Sequence, residues 1–189
     1  GVNADVTLST EGQSAYFVYI DDTQGWINVI DSTSNIRAAS FITATGGTIT
    51  TSGNCKIHTF TGPGTFTVCS VSSLPANNEV SYLVVAGGGG AGDGNNGPNR
   101  NGGGGGGAGG FREVKSPVTP YTASPLDGYP SAPNRVTVTA ATFPITVGGG
   151  GAAGVAPCAP TRAASGSNSI FSTITSAGGG GGGGGCGSA

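Results

Sequence analysis

Runs of consecutive glycine constrain the fold of this chain more than any other feature. Of its 39 glycines, 8 lie in residues 1–86 and 31 in residues 87–189. Glycine has no Cβ and loses more conformational freedom on folding than any other residue. Each run is therefore either a flexible linker or a segment packed so closely that side chains are excluded. The longest runs are residues 87–90, 102–107, 148–151 and 178–185.

Three of the four runs directly follow a β-like segment, ending at Ala86, Val147 and Ala177. A flexible linker does not need a β-like segment before it. An extended helix of the polyproline II type has three residues per turn, with its N–H and C=O groups pointing sideways, and helices without Cβ atoms can approach to about 4.8 Å. We expect packed polyglycine II-like helices, and valine in the middle of residues 148–151 should then destabilise the protein. The expected packing positions are Gly87, Gly88, Gly89, Gly90, Gly148, Gly149, Gly150, Gly151, Gly178 and Gly182.

The first half of the chain is rich in β-branched and aromatic residues, which favour strands. Residues 15–20 and 26–30 flank a turn and predict a hairpin. The first strand is apolar on both faces, and a module of about fifty residues has too little chain to cover both. We therefore expect other subunits to cover it. The candidate interface residues are Tyr16, Phe17, Val18, Tyr19, Ile20 and Trp26.

A second hairpin is predicted from residues 56–60 and 65–68, joined by the turn at residues 61–64. Its register places Cys55 and Cys69 on opposite faces, which disfavours a disulfide between them. The resulting prediction is an all-β protein. A small N-terminal β module (residues 1–50) precedes a β domain (residues 51–189) that carries packed polyglycine II-like helices.

Charge and motif content argue against several classes of function. Charged residues make up 8% of the chain and the net charge is −2, so a nucleic-acid partner is not expected. No apolar stretch reaches the roughly 18 residues of a membrane helix. The only histidine, His58, lies in a predicted strand, and no glycine run leads into Gly-Lys-Ser/Thr. The four cysteines form no Cys-x-x-Cys pair. We expect no enzymatic activity, no metal and no cofactor.

Two long stretches outside the strands and glycine runs, residues 93–101 and 115–135, are the places where contact with another molecule is expected. Their amide and aromatic side chains suit sugar or outer-membrane-protein surfaces, although both stretches also suit plain connectors. The candidate contact residues are Asn95, Asn96, Asn99, Arg100, Tyr121 and Tyr129.

Four motifs follow one another in a fixed order along the second part of the chain: His58-Thr59-Phe60-Thr61-Gly62-Pro63-Gly64, Tyr82-Leu83-Val84-Val85-Ala86, Gly109-Gly110-Phe111-Arg112 and Phe143-Pro144-Ile145-Thr146-Val147. With the glycine runs between them, this order resembles the glycine-rich domain of bacteriophage tail-fibre proteins over residues 55–189. Residues 14–31 are similar to a short β module of marine phage fibres. The expected glycine helices are similar in architecture to the polyglycine sandwich of T-even tail-tip adhesins.

The resemblance implies a virion protein, made in the host cytoplasm, that acts as a tail fibre or receptor-binding adhesin. It also implies a homotrimer whose partners are other phage tail or capsid proteins and a host surface glycan or outer-membrane protein. The alternative is a structural extracellular filament or matrix protein of a bacterium, without receptor recognition. Since the sequence has no methionine even at position 1, we expect it to be part of a longer chain.

Overall fold

The computed structural model describes residues 15–23, 25–31, 41–94, 102–155 and 162–185. The chain divides into two compact units, residues 1–40 and 41–189. The boundary expected after residue 50 falls within a strand of the second unit, Thr48–Ser52. The expected all-β class is confirmed, since two short 3₁₀ helices, Pro75–Asn78 and Ala132–Asn134, accompany thirteen strands among these residues. No helix in this part of the chain has the length and apolar character needed to cross a membrane.

The first unit contains an antiparallel hairpin of β1 (Ala15–Asp21) and β2 (Gly25–Asp31). Gly25 has a φ of +69°, a conformation that glycine adopts without a steric penalty. Tyr19 faces Trp26 across the hairpin, with 5.5 Å between the ring centroids.

The second unit is built on one five-stranded sheet and three two-stranded ribbons. The sheet has the order β13-β12-β11-β6-β3, and the ribbons are β4–β5, β8–β9 and β7–β10. The strands are β3 (Thr43–Thr45), β4 (Thr48–Ser52), β5 (Cys55–Thr59), β6 (Gly64–Ser70), β7 (Glu79–Val80), β8 (Tyr82–Val85), β9 (Phe111–Val114), β10 (Val136–Thr137), β11 (Thr142–Thr146), β12 (Ser169–Phe171) and β13 (Ile174–Ser176).

The predicted second hairpin is wrong. β5 pairs with β4, while β6 pairs with β3 and β11, so residues 60–63 connect two different sheets. The signal that was missed is Gly53-Asn54, since glycine with positive φ (+56°) at the first loop position is typical of a two-residue hairpin turn. Cys55 and Cys69 are free thiols, as expected. The reason differs from the expected one, because the two cysteines lie in strands of different sheets.

The core is centred on Phe171 of β12. Its ring centroid lies 5.8 Å from that of Tyr82 and 6.2 Å from those of Phe66 and Phe143. The other buried members of the cluster are Val68, Val84, Val136, Val138 and Ile174. Burial of these apolar side chains from several strands is the main favourable contribution to folding of this unit.

Five extended segments, named PG1 to PG5, continue from the ends of core strands. PG1, PG3 and PG5 follow β8, β11 and β13, whereas PG2 and PG4 lead into β9 and β12. No described glycine of these segments has a positive φ, as in the polyproline II conformation. The segments are PG1 (residues 86–94), PG2 (102–110), PG3 (148–154), PG4 (162–168) and PG5 (177–185).

Backbone hydrogen bonds between the segments form a bundle with PG1 at its centre. PG1 bonds to all four others, through Gly89 N to Gly107 O (2.8 Å), Gly90 N to Ala164 O (2.9 Å), Gly151 N to Gly88 O (2.8 Å) and Gly179 N to Gly87 O (2.9 Å). The bonds recur at every third residue, so that Gly92 N donates to Gly104 O and Gly182 N donates to Gly90 O. This is the three-residue period of a polyglycine II-like helix, and it excludes the linker alternative for these residues.

Close packing in the bundle requires glycine at some positions of a run and leaves room for a Cβ at others. A Cβ on Gly151 would lie 2.0 Å from Ala164 O, and one on Gly90 would lie 2.0 Å from Ala152 O. Gly149 has no atom within 4 Å of such a Cβ, and Gly150 has only Gly88 O at 3.6 Å. The expectation that valine in the middle of residues 148–151 is destabilising is therefore wrong, because the close contacts are made by the two outer glycines of that run.

Candidate attachment surface

The 115–135 loop begins at the end of β9 and carries two of the predicted contact residues. The other four, Asn95, Asn96, Asn99 and Arg100, lie outside the described residues. Tyr121 is exposed, whereas Tyr129 is half-buried.

Two carboxylates fix the course of this loop. Asp127 Oδ1 accepts hydrogen bonds from the backbone N–H groups of Lys115 and Tyr129, both at 3.0 Å. The buried Glu113 accepts one from Ser124 N at 3.1 Å through Oε2. Hydrogen bonds to charged groups contribute about 1.5–3 kcal/mol each, so these bonds stabilise the observed course of the loop.

Tyr129 ties the loop to the core. Its hydroxyl donates to Glu79 Oε2 at 3.0 Å, and the guanidinium carbon of Arg135 lies 4.2 Å from its ring centroid. Arg135 Nε also donates to the Tyr129 carbonyl at 3.0 Å. The structure therefore gives Tyr129 a positioning role within the loop.

Tyr121 is available to another molecule. Its side chain is 40% exposed, and Lys115 Nζ lies 5.9 Å from its ring centroid. Partial burial, the nearby carboxylates of Glu113 and Asp127 and a hydrogen bond to Glu113 raise the pKa of Tyr121, whereas a hydrogen bond to Ser81 lowers it. The hydroxyl is therefore already engaged within the chain, and the exposed ring is the part of Tyr121 that another molecule can contact.

An open cleft of about 190 Å³ lies beside β9, with the loop forming part of its wall. Arg112 is exposed, and its guanidinium makes no hydrogen bond or ion pair with the described residues. Burial is the largest cause of the raised pKa of Tyr82. The charge of Arg112 lowers this pKa and the charge of Asp127 raises it. The cleft thus combines the Arg112 cation and the Glu113 carboxylate with apolar and amide groups. Other lining residues include Tyr82, Phe111, Glu113, Leu126 and Asn134.

The β8–β9 ribbon and the loop also carry exposed apolar side chains. Leu83 and Val85 of β8 are 60% and 52% exposed, and Val85 pairs with Phe111 of β9. Leu126 on the loop is 68% exposed. Among the described residues, no group of His, Cys, Asp and Glu side chains is arranged to hold a metal ion. The groups present suit non-covalent binding through stacking, hydrogen bonds and charge.

Four of the six predicted subunit-interface residues are exposed in the first unit. Trp26 and Tyr16 are 69% and 63% exposed, and Tyr19 and Ile20 are also exposed, whereas Phe17 and Val18 are half-buried. The hairpin therefore presents aromatic side chains that the described part of this unit does not cover.

The predicted packing glycines fall into two groups. Those in which a Cβ would lie within about 2 Å of another segment's backbone are Gly87, Gly89, Gly90, Gly148, Gly151, Gly178 and Gly182. The others have room for a Cβ, and they are Gly88, Gly149 and Gly150.

Sequence reasoning did not select the cleft residues Arg112 and Leu126 as contact residues, and it assigned Tyr129 to contact. Nothing in the local pattern around Leu126 marks it as exposed. The role of Arg112 depends on the position of the loop, which is set by Asp127 and Glu113 through long-range bonds.

Comparison with known proteins gives one family match. The glycine-rich domain family matches residues 59–189, which is more than half of the chain. No curated protein and no solved structure matches the chain. Over residues 59–189, the chain belongs to the glycine-rich domain family.

Proposed function

We propose that this chain is part of a bacteriophage tail fibre or receptor-binding adhesin, carried on the virion, that attaches the phage to the host surface. The observation that carries the proposal is the 115–135 loop, which is fixed by Asp127 and Glu113 while Tyr121 and Leu126 remain exposed. A prepositioned loop loses little conformational entropy on binding. The motif order that resembles phage tail-fibre domains supports the same function.

The glycine bundle is the mechanical support in this proposal. The bundle is joined to the core through shared strands, and Ser176 Oγ of β13 donates to Val84 O of β8 at 2.7 Å. Loops that carry binding residues are commonly positioned by a rigid scaffold. The partner class is a host surface glycan or an outer-membrane protein, and other phage tail or capsid proteins hold the fibre on the virion.

Binding to bacterial surfaces tests the proposal. The labelled full chain is applied to an array of bacterial lipopolysaccharides and outer-membrane vesicles, together with Arg112→Ala and Tyr121→Ala. Val155→Ala serves as the matched control, because this side chain is 83% exposed but distant in sequence from the loop. We expect binding that falls at least tenfold in the first two variants and is unchanged in the control.

Equal binding by all variants would contradict the role of this surface. Absence of binding to every bacterial surface would favour the alternative of an extracellular filament or matrix protein.

We also propose that the chain forms a homotrimer through the hairpin of the first unit. Trp26 and Tyr16 are exposed, and a fibre gains avidity when several weak contacts form together. Mass photometry of the full chain should give three times the monomer mass or a multiple of it. The double variant Tyr16→Ser, Trp26→Ser should give a folded chain without this threefold association. A stable wild-type monomer at micromolar concentration would contradict the trimer.

A further inference from the structure

A chain of hydrogen bonds through β8, the 115–135 loop and β9 builds the wall of the cleft. The Tyr82 hydroxyl donates to Asn134 O at 2.6 Å, and Asn134 Nδ2 donates to Gly128 O at 3.1 Å. Gly128 N in turn donates to Glu113 O at 2.9 Å. A Cβ on Gly128 would lie 2.9 Å from Asn134 Nδ2, so a side chain at this position would displace the amide. The wall is therefore formed before a ligand arrives, which lowers the entropic cost of binding.

The volume of the cleft limits the size of its ligand. About 190 Å³ is less than the roughly 300–1,000 Å³ of pockets that enclose drug-sized molecules. Because the cleft is open, a larger molecule can continue into solvent from the group that is bound. One ring of an oligosaccharide or one side chain of a protein satisfies these limits.

The edge of β9 beside the cleft does not accept a peptide strand. Glu113 and Asp127 form a parallel β-bridge, and Gly128 N is bonded to Glu113 O. Asp127 Oδ1 is bonded to the N–H group of Lys115. Addition of a strand requires a row of free backbone groups along the edge, and the loop takes these groups at Glu113 and Lys115. The geometry therefore favours a sugar ring over an extended segment of an outer-membrane protein.

The lining of the cleft offers both polar and apolar contacts. Phe111 and Leu126 are exposed apolar side chains, and Arg112 carries a guanidinium that is not paired with a described residue. Since Gly128 O holds Asn134 Nδ2, Oδ1 is the remaining polar atom of the Asn134 amide. A sugar ring presents hydroxyl groups around its edge and C–H groups on its faces. Such a ring therefore matches a site with a few polar groups among apolar ones.

The charges around the cleft favour a neutral ligand. The lining contains one guanidinium, that of Arg112, and one carboxylate, that of Glu113. Asp127 is close enough to raise the pKa of Tyr82 in the cleft wall, so it adds a second negative charge nearby. An anionic ligand that approaches Arg112 would be repelled by both carboxylates.

We propose that this cleft binds one neutral sugar ring of a host surface glycan. The inference rests on the proposed function and names the class of ligand for its surface. Arg112 donates hydrogen bonds to hydroxyl groups of the ring, and Asn134 Oδ1 accepts one. Phe111 and Leu126 contact the C–H groups of the ring.

Titration of the full chain with simple sugars tests the class of ligand. The probes are the methyl glycosides of glucose, galactose, mannose, rhamnose and N-acetylglucosamine. Methyl glucuronide and methyl galacturonide are the matched anionic probes, because they differ from the glucose and galactose compounds only in a carboxylate at C6. We expect at least one neutral probe to shift the amide NMR signals of Arg112 and Gly128, and the uronides to bind at least tenfold more weakly than the best neutral probe. No shift with any neutral probe, or tighter binding of a uronide, would overturn the proposal.

A pair of variants on the same loop tests the position of the site. Leu126 lines the cleft, whereas Val118 is 56% exposed and is not part of the lining. The Kd of the best neutral probe should rise at least fivefold in Leu126→Ala and stay unchanged in Val118→Ala. Equal Kd values for the two variants would overturn the assignment of the sugar to this cleft.

Competition separates this proposal from the proposed function. A neutral probe should reduce binding of the full chain to bacterial lipopolysaccharide or outer-membrane vesicles. If the chain binds these surfaces and no neutral probe competes, the sugar site is overturned while attachment to the host stands. If a neutral probe binds in the cleft but the chain binds no bacterial surface, the sugar site is supported and attachment is contradicted.

Discussion

At the residue scale, most alanines of the bundle lie at its surface, with Ala86 and Ala163 as buried exceptions. Ala91, Ala108, Ala152, Ala153 and Ala164 are all exposed. Positions at which a Cβ would lie about 2 Å from a neighbouring carbonyl oxygen, such as Gly92 and Gly106, are glycine. The three-residue period of the extended helix therefore determines where glycine is required.

The first prediction compares two glycines of PG3. Gly151→Ala should lower the free energy of unfolding by about 1–3 kcal/mol, because the new Cβ would lie 2.0 Å from Ala164 O. Gly149→Ala should raise the free energy of unfolding by about 0.4–1 kcal/mol, because the Cβ meets open space. Thermal denaturation of both variants measures the difference. Midpoints that shift in the same direction by the same amount would contradict the close packing of Gly151.

At the element scale, the 115–135 loop depends on one carboxylate. Asp127→Ala removes both hydrogen bonds from the Lys115 and Tyr129 amides. We expect the exchange of these two amides to accelerate about tenfold or more, because the loss of 1.4 kcal/mol of local stability changes an opening equilibrium tenfold. Hydrogen exchange followed by NMR measures the rates.

Asp127→Asn is the matched control for this substitution. The amide side chain keeps one oxygen acceptor, so the rates should lie between those of the wild type and of Asp127→Ala. If Asp127→Ala leaves the Lys115 and Tyr129 amides as protected as in the wild type, the loop is held by other contacts.

The sequence predicted elements well where the signal is local. Residues 15–30 contain two apolar segments and a turn, and they form the hairpin β1–β2. The glycine runs predicted a packed bundle, because each follows or precedes a strand. The pairing of β5 with β4 was missed, because the Gly62-Pro63 turn was weighed above Gly53-Asn54. The course of the 115–135 loop could not be predicted, since Tyr82 and Glu79 bind residues about fifty positions away.

At the scale of the whole molecule, the bundle and the core of the second unit share their strands. Each glycine segment is continuous with a strand, and bonds such as Gly182 N to Gly90 O join residues far apart in sequence. Ordering the backbone of one residue costs about 1–2 kcal/mol, while one hydrogen bond contributes about 0.5–1.5 kcal/mol. A single glycine segment therefore does not order by itself. Its order depends on strands that the core has already positioned.

The last prediction tests this dependence through Phe171, which lies in β12 directly after PG4 and contacts three other aromatic rings. Phe171→Ala should lower the free energy of unfolding by about 3–5 kcal/mol. If the bundle forms only with the core, the amides of Gly90 and Gly182 should lose protection together with that of Val68. Ile57→Ala is the control, because Ile57 is 47% exposed on β5, and it should leave all three amides protected. Native-state hydrogen exchange at increasing denaturant measures the three amides. Wild-type protection of Gly90 and Gly182 in a Phe171→Ala variant that exposes Val68 would show that the bundle is stable without the core.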